Sequence, residues 1–467
     1  MKTTMIILVL FLTTLFNNVF AQDIEGTWQG NLEVQPGKKM LFIFNISESE
    51  KELITKLDIP SQDLKQLQPK STTFVDGNLM IDASNLGFKF NGKWDNTSGE
   101  IEGTFQEGLN TVPLILNKEE VVKQVNIPKR PQEPTKPYPY QVQEVKINNP
   151  ENGITLAGTL TLPKVSSRKP PGVILISGSG PQDRDENFMG HRPFLVLADY
   201  LTRKGIAVLR FDDRGVGKST GDFEKATTAD FSDDVLSAIT FLKNRTDIDT
   251  GRIGLIGHSE GAIIAPKVAN TTDDLAFIIM LAGTGTLGKE VSLVQAMDYR
   301  NFPVNDEKQY EAYVKKAIDI AASEKDSDVV KKELKSFYQN SELLASILPA
   351  NIDKEEFIEN LVKSRTNPWI RYFYNYDPTQ EIREIDIPAL VLYGSNDTQV
   401  PPKYHMKPVK EALRESNSKN HEVLLMDGLN HLFQESKTGH ISEYSQIEQT
   451  ISPRVLEKIS NWILHQI

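Results

Sequence analysis

Cysteine is absent from this sequence of 467 residues. Its absence excludes disulfide bridges and a lipid anchor on a cysteine, so the fold must be held together by burial of apolar side chains. Runs of lysine or arginine are also absent, and the formal net charge is −11 at pH 7. Because that overall charge repels a polyanion, we expect no nucleic-acid partner.

The apolar run at the N-terminus is too short to span a membrane. It extends from Met5 to Phe16 behind the positive Lys2, whereas a bilayer needs roughly 20 apolar residues. This order is typical of a secretory signal peptide, residues 1–21, that is cleaved after Ala21. We expect a bacterial protein that is exported to the periplasm or released, without a stable membrane anchor.

Residues 22–122 carry short alternating runs of apolar and polar residues. Examples are TWQGNLEV, MLFIFNI, FKFNGKW and VPLILN, which are separated by Gly, Asn and Asp. Regular short strands with turn signals predict a small all-β, barrel-like domain. Fold alone does not specify function. Two roles stay open for this domain. It could hold a lipid-like ligand inside the barrel, or it could serve in packing or in dimerisation, which would make a homodimer. The packing or dimerisation role is the simpler.

A different pattern begins after a proline-rich segment. Residues 123–142 include IPKRPQEPTKPYPYQ, whose closely spaced prolines favour an extended, semi-rigid linker. In residues 143–467, apolar runs such as GVILIS, IGLIGH and PALVLYG alternate with helical stretches. This alternation predicts an α/β domain with a mostly parallel sheet covered by helices on both faces. An insertion at about 287–380 interrupts the alternation and predicts a helical lid above the carboxyl ends of the strands.

The strand RIGLIG leads directly into HSEGA, which gives the pattern G-x-S-x-G around Ser259. A serine at the tip of a sharp strand-to-helix turn needs small residues on either side, here Gly257 and Gly261. The helix that begins beneath it would direct its N–H groups at negative charge developing on a substrate. The expected oxyanion donors are the N–H of Glu260 and that of Ser179 in the glycine-containing loop ISGSGPQ.

A serine nucleophile needs a base, and the base needs an acid that orients it. These partners are expected in the chain order Ser, Asp or Glu, His, in loops after later strands. Asp397 follows the apolar run PALVLYG, and His431 follows EVLLM. Asp427 is a rival acid, but it is too close in sequence to His431 to reach the distal ring nitrogen. We therefore predict a catalytic triad of Ser259, Asp397 and His431.

With these residues the chain resembles the α/β-hydrolase superfamily, and specifically bacterial secreted serine-aminopeptidase-like hydrolases and carboxylesterases. The resemblance runs from Tyr140 to the C-terminus through the motifs GTLTLP, SGSGPQDRDE, FDDRGVGKS, GHSEGA, PWIRYFYNYDP, GSNDTQVPP and GLNHLF. It is specific for the superfamily and says little about the substrate. Two departures are Ser177, where many relatives have a histidine, and Pro266, which should weaken or kink the helix after Ser259.

The stretch FDDRGVGKST shares its GKST ending with phosphate-binding loops. Such a loop requires glycine at the position of Asp212, whose carboxylate would repel phosphate, so nucleotide binding is disfavoured. The resemblance instead implies a D-x-R-G-x-G-x-S turn after the fourth strand of the hydrolase domain. In that turn Arg214 would pair with Asp183 or Asp185 and hold the loop that carries Ser179.

The expected chemistry is acyl transfer to water through a covalent serine ester, without a metal or organic cofactor. A small-molecule ester is the favoured substrate because an alcohol is a better leaving group than an amine. A short peptide or aminoacyl amide is the alternative, and its ammonium group would need an acid such as Glu260. A binding protein that keeps the scaffold without turnover is a third reading. The aromatic residues Trp369, Tyr372 and Phe373 could line an acyl pocket or pack in a core.

Overall fold

The fold is that of a computed structural model. It describes residues 24–466 except for 36–37, 50–51, 63, 108–109, 119–128, 165–167, 299, 301–303 and 349–352. The predicted signal peptide lies outside the described residues.

The first domain is an antiparallel sheet that curls into a nearly closed barrel. Its strands are β1 (Gly26–Gln35), β2 (Lys38–Ser49), β3 (Glu52–Ile59), β4 (Leu64–Leu67), β5 (Ser71–Val75), β6 (Asn78–Ala83), β7 (Phe88–Trp94), β8 (Ile101–Glu107) and β9 (Asn110–Leu116). Neighbours follow the order β1-β2-β3-β5-β6-β7-β8-β9, and β4 pairs with β3. Two backbone hydrogen bonds of 2.9 Å between Gln29 and Asn117 join the two ends of the sheet. The predicted barrel-like domain is confirmed.

Aromatic side chains fill the interior of this barrel. Trp28, Phe44 and Phe90 are fully buried, and the rings of Phe88 and Phe105 stack with centroids 4.6 Å apart. Because side chains alternate along a strand, one face of each strand supplies the interior and the other faces outward. The interior of the described barrel is thus occupied by its own side chains, and the two predicted roles of the domain stay predictions.

The described end of the linker, residues 129–140, lies along the second domain. The guanidinium of Arg130 donates to the carbonyl oxygens of Gly190 (2.9 Å) and Ile447 (2.8 Å). These two carbonyls belong to loops that are far apart in the sequence, so Arg130 joins them as well as anchoring the linker.

The second domain is built on an eight-stranded sheet. Its strands are β10 (Gln141–Asn149), β11 (Ile154–Leu162), β12 (Pro171–Ile176), β13 (Ala207–Phe211), β14 (Asp249–His258), β15 (Phe277–Leu281), β16 (Ala389–Gly394) and β17 (His421–Met426). The spatial order is β10-β11-β13-β12-β14-β15-β16-β17. Pairing is antiparallel on both sides of β11 and parallel between all later neighbours.

Helices cover both faces of that sheet and also form the segment between β15 and β16. They are α1 (Pro193–Arg203), α2 (Thr228–Lys243), α3 (Glu260–Ala269), α4 (Gly288–Asp298), α5 (Glu307–Ala321), α6 (Ser327–Gln339), α7 (Glu342–Ile347), α8 (Lys354–Thr366), α9 (Pro368–Asn375), α10 (Pro378–Glu384), α11 (Pro402–Glu415) and α12 (Pro453–Gln466). Every residue of β12, β13, β15 and β16 is buried, as expected for parallel strands between two helical layers. The predicted α/β-hydrolase fold is confirmed.

Helices α4 to α9 lie within the segment predicted to be a lid, and α10 extends beyond it to Glu384. The lid has a core of its own, to which α5 contributes Tyr310, Val314, Ala317, Ile318 and Ala321 at helical spacing. Ile382 of α10 belongs instead to the core beside the sheet. Within the described residues, no helix has the length and apolar character needed to cross a bilayer.

Candidate active site

Ser259 stands at the junction between β14 and α3 in a strained backbone conformation. Its φ and ψ are 53° and −111°, a region that residues other than glycine rarely adopt. The flanking glycines are required because a Cβ on Gly257 would lie 1.9 Å from the carbonyl oxygen of Gly261. A Cβ on Gly261 would lie 2.1 Å from the carbonyl oxygen of Ile176. The local sequence therefore fixes the sharp turn that presents the serine at the N-terminus of α3.

The loop after β12 passes directly beside Ser259. A Cβ built on Gly178 would lie 3.1 Å from the Cβ of Ser259. The N–H of Gly178 donates to Glu186 Oε1 (2.8 Å) and is therefore committed, which leaves the N–H of Ser179 as the next candidate donor. The N–H of Glu260 is at the first turn of α3, where helix N–H groups lack partners within the helix. The loop after β12 therefore runs beside Ser259, and the oxyanion roles of the Glu260 and Ser179 N–H groups stay predictions.

Asp397 and His431 meet in the loops that follow β16 and β17. Asp397 Oδ2 lies 2.7 Å from His431 Nδ1, and both side chains are buried. The other carboxylate oxygen, Oδ1, accepts the N–H groups of Gln399 and Val400 at 2.8 Å. With Nδ1 donating to the carboxylate, Nε2 of His431 carries the lone pair that a general base needs. The rival Asp427 instead lies 3.4 Å from Ser395 Oγ.

The elbow residue His258 links His431 to the nucleophile. His258 Nε2 lies 2.9 Å from the carbonyl oxygen of His431, and the two imidazole rings are 4.7 Å apart. His258 Nδ1 contacts Glu186 Oε1 at 2.8 Å. Neither Glu186 nor His258 was identified from the sequence, because the several acids in PQDRDEN give no sign of which one faces the elbow. The position of His258 next to Ser259 was the available signal.

The side chain of Glu260 is held by two donors from different elements. Its Oε1 accepts Thr228 Oγ1 (2.8 Å) from α2 and Trp369 Nε1 (2.7 Å) from α9. Burial raises the pKa of Glu260, and these hydrogen bonds offset part of that effect. The carboxylate that was predicted as an ammonium clamp therefore has protein partners, and through Trp369 it connects the nucleophile elbow to the lid.

The FDDRGVGKST turn surrounds a carboxylate of its own. Asp212 accepts from the guanidinium of Arg184 at 2.8 Å and from the N–H of Lys218 at 3.2 Å. A Cβ on Gly217 would lie 2.6 Å from Asp212 Oδ2. Burial opposes ionisation of Asp212, but these donors prevail and its pKa is lowered. The carboxylate occupies the space that a bound phosphate would need.

The predicted pairing of Arg214 with Asp183 or Asp185 is wrong. Arg214 Nε donates to Asp234 Oδ2 (2.7 Å), and its Nη1 contacts Asp230 Oδ1 (3.2 Å). These two acids are four residues apart on α2 and share one face of the helix, so together they attract the guanidinium.

The loop after β12, which carries Ser179 and is called the oxyanion loop below, also contains Asp183 and Asp185. These two acids have other partners. Asp185 forms an ion pair with Arg210, and Asp183 Oδ1 accepts the N–H of Asp185 (2.9 Å). The loop that carries Ser179 is instead fastened by Asp213, which accepts Ser177 Oγ (2.8 Å) and the N–H of Gln182 (3.0 Å). Burial raises the pKa of Asp213 to about 8. Ser177, at the histidine position of many relatives, thus has a structural partner.

Helix α3 continues past Pro266 to Ala269. Proline lacks an N–H and so removes one bond from the helix interior. The helix nevertheless stays packed against the sheet, with Ile263, Ile264 and Val268 buried.

A cleft of about 1390 Å³ opens beside the oxyanion loop. Its wall includes Ser179, Gly180 and Trp369, together with Met80 and Phe88 of the barrel. The three predicted pocket residues are placed differently. Trp369 lines the cleft, Phe373 is buried behind it with a ring separation of 5.2 Å, and Tyr372 stacks on Tyr376.

Comparison with known proteins extends this description. Esterase EstD of Thermotoga maritima is 26% identical over 333 residues, which is 70% of this chain and 68% of EstD. A solved esterase of Pyrococcus furiosus, 17% identical, covers 70% of this chain and 93% of its own with a TM-score of 0.43. The solved structure of Est1E of Butyrivibrio proteoclasticus with bound ferulic acid is 17% identical. The match covers 69% of this chain and 98% of Est1E, with a TM-score of 0.39. The sequence profile of the X-Pro dipeptidyl-peptidase (S15) family matches residues 148–432. Since this match spans more than half of the chain, the protein belongs to the X-Pro dipeptidyl-peptidase (S15) family.

Proposed function

We propose that the protein is a serine hydrolase that cleaves carboxylic esters with small or medium acyl groups. The observation that carries this proposal is the 2.7 Å hydrogen bond between Asp397 and His431, beside the strained turn of Ser259. A buried imidazole with its Nδ1 donating to a carboxylate is arranged to accept a proton at Nε2.

The reaction follows from this arrangement. His431 Nε2 takes the hydroxyl proton of Ser259 as the serine oxygen attacks the ester carbonyl. The N–H groups of Glu260 and Ser179 stabilise the oxyanion of the tetrahedral intermediate. His431 returns the proton to the departing alcohol, and an acyl group remains on Ser259. Water, activated by His431, then releases the acid and restores the serine.

An ester is favoured over an amide by the state of the acids near Ser259. A substrate ammonium group needs an acceptor, and the side chains of Glu260, Glu186 and Asp213 already accept hydrogen bonds from the protein. EstD, with 26% identity, is named an esterase and supports the same choice.

A peptidase is the second candidate, and the family match favours it. The matching family is described as X-Pro dipeptidyl-peptidase, and the same serine mechanism cleaves amides when the leaving amine is protonated by the histidine.

We also propose that the chain is exported, because residues 1–21 have the pattern of a signal peptide.

One set of assays separates these functions. The mature protein would be given p-nitrophenyl esters from acetate to decanoate and, in parallel, X-Pro p-nitroanilides. Ester turnover that disappears in Ser259→Ala supports the proposal, and its dependence on chain length gives the size of the pocket. Turnover of the anilides alone would replace the ester proposal with the peptidase. No turnover of either, and no labelling of Ser259 by a fluorophosphonate, would contradict the hydrolase proposal and favour a closed lid or a non-catalytic binding protein.

A further inference from the structure

A second histidine–carboxylate pair lies next to the Asp397–His431 pair. Glu186 and His258 are 3% and 6% exposed, and Glu186 Oε1 is 2.8 Å from His258 Nδ1. The far ring nitrogen, Nε2, is 2.9 Å from the main-chain carbonyl oxygen of His431. Buried ion pairs need hydrogen bonds for their remaining polar atoms, and both ring nitrogens of His258 have such a partner.

The two contacts define the protons on His258. A carbonyl oxygen only accepts, so Nε2 must carry a hydrogen. A proton must also lie between Nδ1 and Glu186, because two lone pairs at 2.8 Å would repel. Burial alone would lower the pKa of His258, but the Glu186 carboxylate opposes this and the pKa is raised. Asp397 acts on His258 in the same direction, and Asp213 is near enough to Glu186 for the two carboxyl groups to repel each other.

The pair connects the three segments that the reaction requires. Glu186 Oε1 also accepts the N–H of Gly178 (2.8 Å), the residue beside Ser259 in the oxyanion loop. His258 belongs to the nucleophile elbow, and its Nε2–H bond fixes the backbone of the loop that carries His431. Glu186 itself has a φ of 52°, a conformation that the surrounding bonds must maintain.

We propose that Glu186 and His258 are positioning residues, which together set the oxyanion loop and the His431 loop in register with Ser259. This inference rests on the proposed hydrolase function. The pair does not touch the reacting atoms, and it acts by holding the N–H donors and the base at the distances that acyl transfer needs. A displacement of about 1 Å in such groups costs about 10²-fold in rate.

Glu186→Gln tests the pair with almost no change in volume. If the amide oxygen faces His258, it still accepts the N–H of Gly178 and a proton on His258 Nδ1. Because Nε2 must also donate to the carbonyl of His431, the ring must then be a positively charged imidazolium, and glutamine supplies no negative charge to balance it. If the amide nitrogen faces His258, the N–H of Gly178 meets a donor instead of an acceptor. Glutamine therefore cannot satisfy all three bonds with a neutral ring.

The experiment measures kcat and KM for a p-nitrophenyl ester in wild type, Glu186→Gln, His258→Phe and the double variant. We expect kcat to fall about 10²-fold in each single variant with little change in KM. The double variant should lose little more than either single variant, because the two residues act as a unit. His191→Gln is the control, since His191 is a buried histidine whose ring nitrogens bond to the carbonyl of Tyr444 (2.8 Å) and to Thr450 Oγ1 (3.2 Å) rather than to a carboxylate. Normal kcat in Glu186→Gln or His258→Phe, or equal losses in the control, would overturn the proposal.

The wild-type protein supplies a second test that does not depend on the folding of variants. Nitrogen-15 NMR of the imidazole groups reports whether each ring nitrogen carries a proton. We expect both ring nitrogens of His258 to carry a proton at neutral pH, because Nε2 faces the carbonyl oxygen of His431 and Nδ1 faces Glu186. A His258 that carries no hydrogen on Nε2 would refute the proposed role of the Glu186–His258 pair. Absence of ester hydrolysis by a wild type with protonated His258 would instead refute the proposed function and leave the contact network intact.

Discussion

The barrel and the α/β domain bury different kinds of side chain. The core of the barrel consists of Trp28, Phe44, Phe90 and other apolar residues, with Thr55 and Thr72 as its buried polar members among the described residues. The α/β domain has equally apolar layers on both faces of its sheet, but it also buries histidines, carboxylates and arginines at the carboxyl ends of the strands.

The two cores differ in whether they contain buried charged groups. Burial of a charge is costly unless it is paired and hydrogen-bonded, and the described core of the barrel contains no buried charge. Around Ser259 the buried groups come as bonded sets, Asp397 with His431 and Glu186 with His258. The comparison predicts that changes to the bonded polar sets around Ser259 alter rate, whereas apolar changes in the barrel alter stability.

The largest effect is expected from Asp397→Asn. Asparagine can present its amide nitrogen to His431 Nδ1 and so stabilise the wrong tautomer, which should lower kcat by about 10⁴-fold with little change in stability. The measurement is ester turnover at saturating substrate. Asp427→Asn is the matched control, because Asp427 contacts Ser395, and it should keep kcat near that of wild type. Comparable losses in the two variants would contradict the assignment of the acid.

Phe90→Ala should have a large effect of the opposite kind. Removing this fully buried ring from the barrel should lower the free energy of unfolding of that domain by about 3–5 kcal/mol. The rate at which a small fluorophosphonate labels Ser259 should change by less than about twofold, as for distant and independent sites. Val75→Ala, at a position that is 64% exposed, is the control for stability. Loss of labelling in Phe90→Ala would break the separation between the two domains.

A smaller effect concerns the pH dependence of stability. Burial lowers the pKa of His191 to about 4 from its ordinary 6.5. Below pH 6.5 the unfolded chain therefore binds a proton that the folded protein takes up only near pH 4, so stability falls as the pH decreases through this range. His191→Gln should remove about 1–3 kcal/mol of that fall, measured by urea unfolding at pH 7 and pH 4.5. An unaltered slope in His191→Gln would refute the effect.

The elements of the fold could be predicted because their signals are local. Alternating runs indicated the barrel strands, and buried runs separated by helical stretches indicated the parallel sheet. Ser259, Asp397 and His431 could be selected together because each follows its own strand and parallel strands end at one edge of the sheet. Gly257 and Gly261 supported the choice of Ser259, because the sharp turn has no room for a side chain at either position.

The partners of the charged groups could not be predicted in the same way. Arg214 was assigned to the acids of the oxyanion loop, but it bonds to Asp230 and Asp234, since the path of a loop decides which carboxylate is nearest. Glu186 was one acid among several in PQDRDEN, and it contacts His258 from a backbone conformation with φ of 52° that the sequence does not indicate. Contacts between loops depend on the tertiary structure, which no local pattern encodes.

The most direct measurement of the central claim is the acyl-enzyme itself. Wild type and Ser259→Ala would be mixed with p-nitrophenyl acetate, quenched in acid at short times and digested for mass spectrometry. The account predicts a burst of p-nitrophenol and an acetyl group on the peptide that contains Ser259, both absent from the variant. A burst that persists in Ser259→Ala, or an acetyl group bound elsewhere, would contradict it.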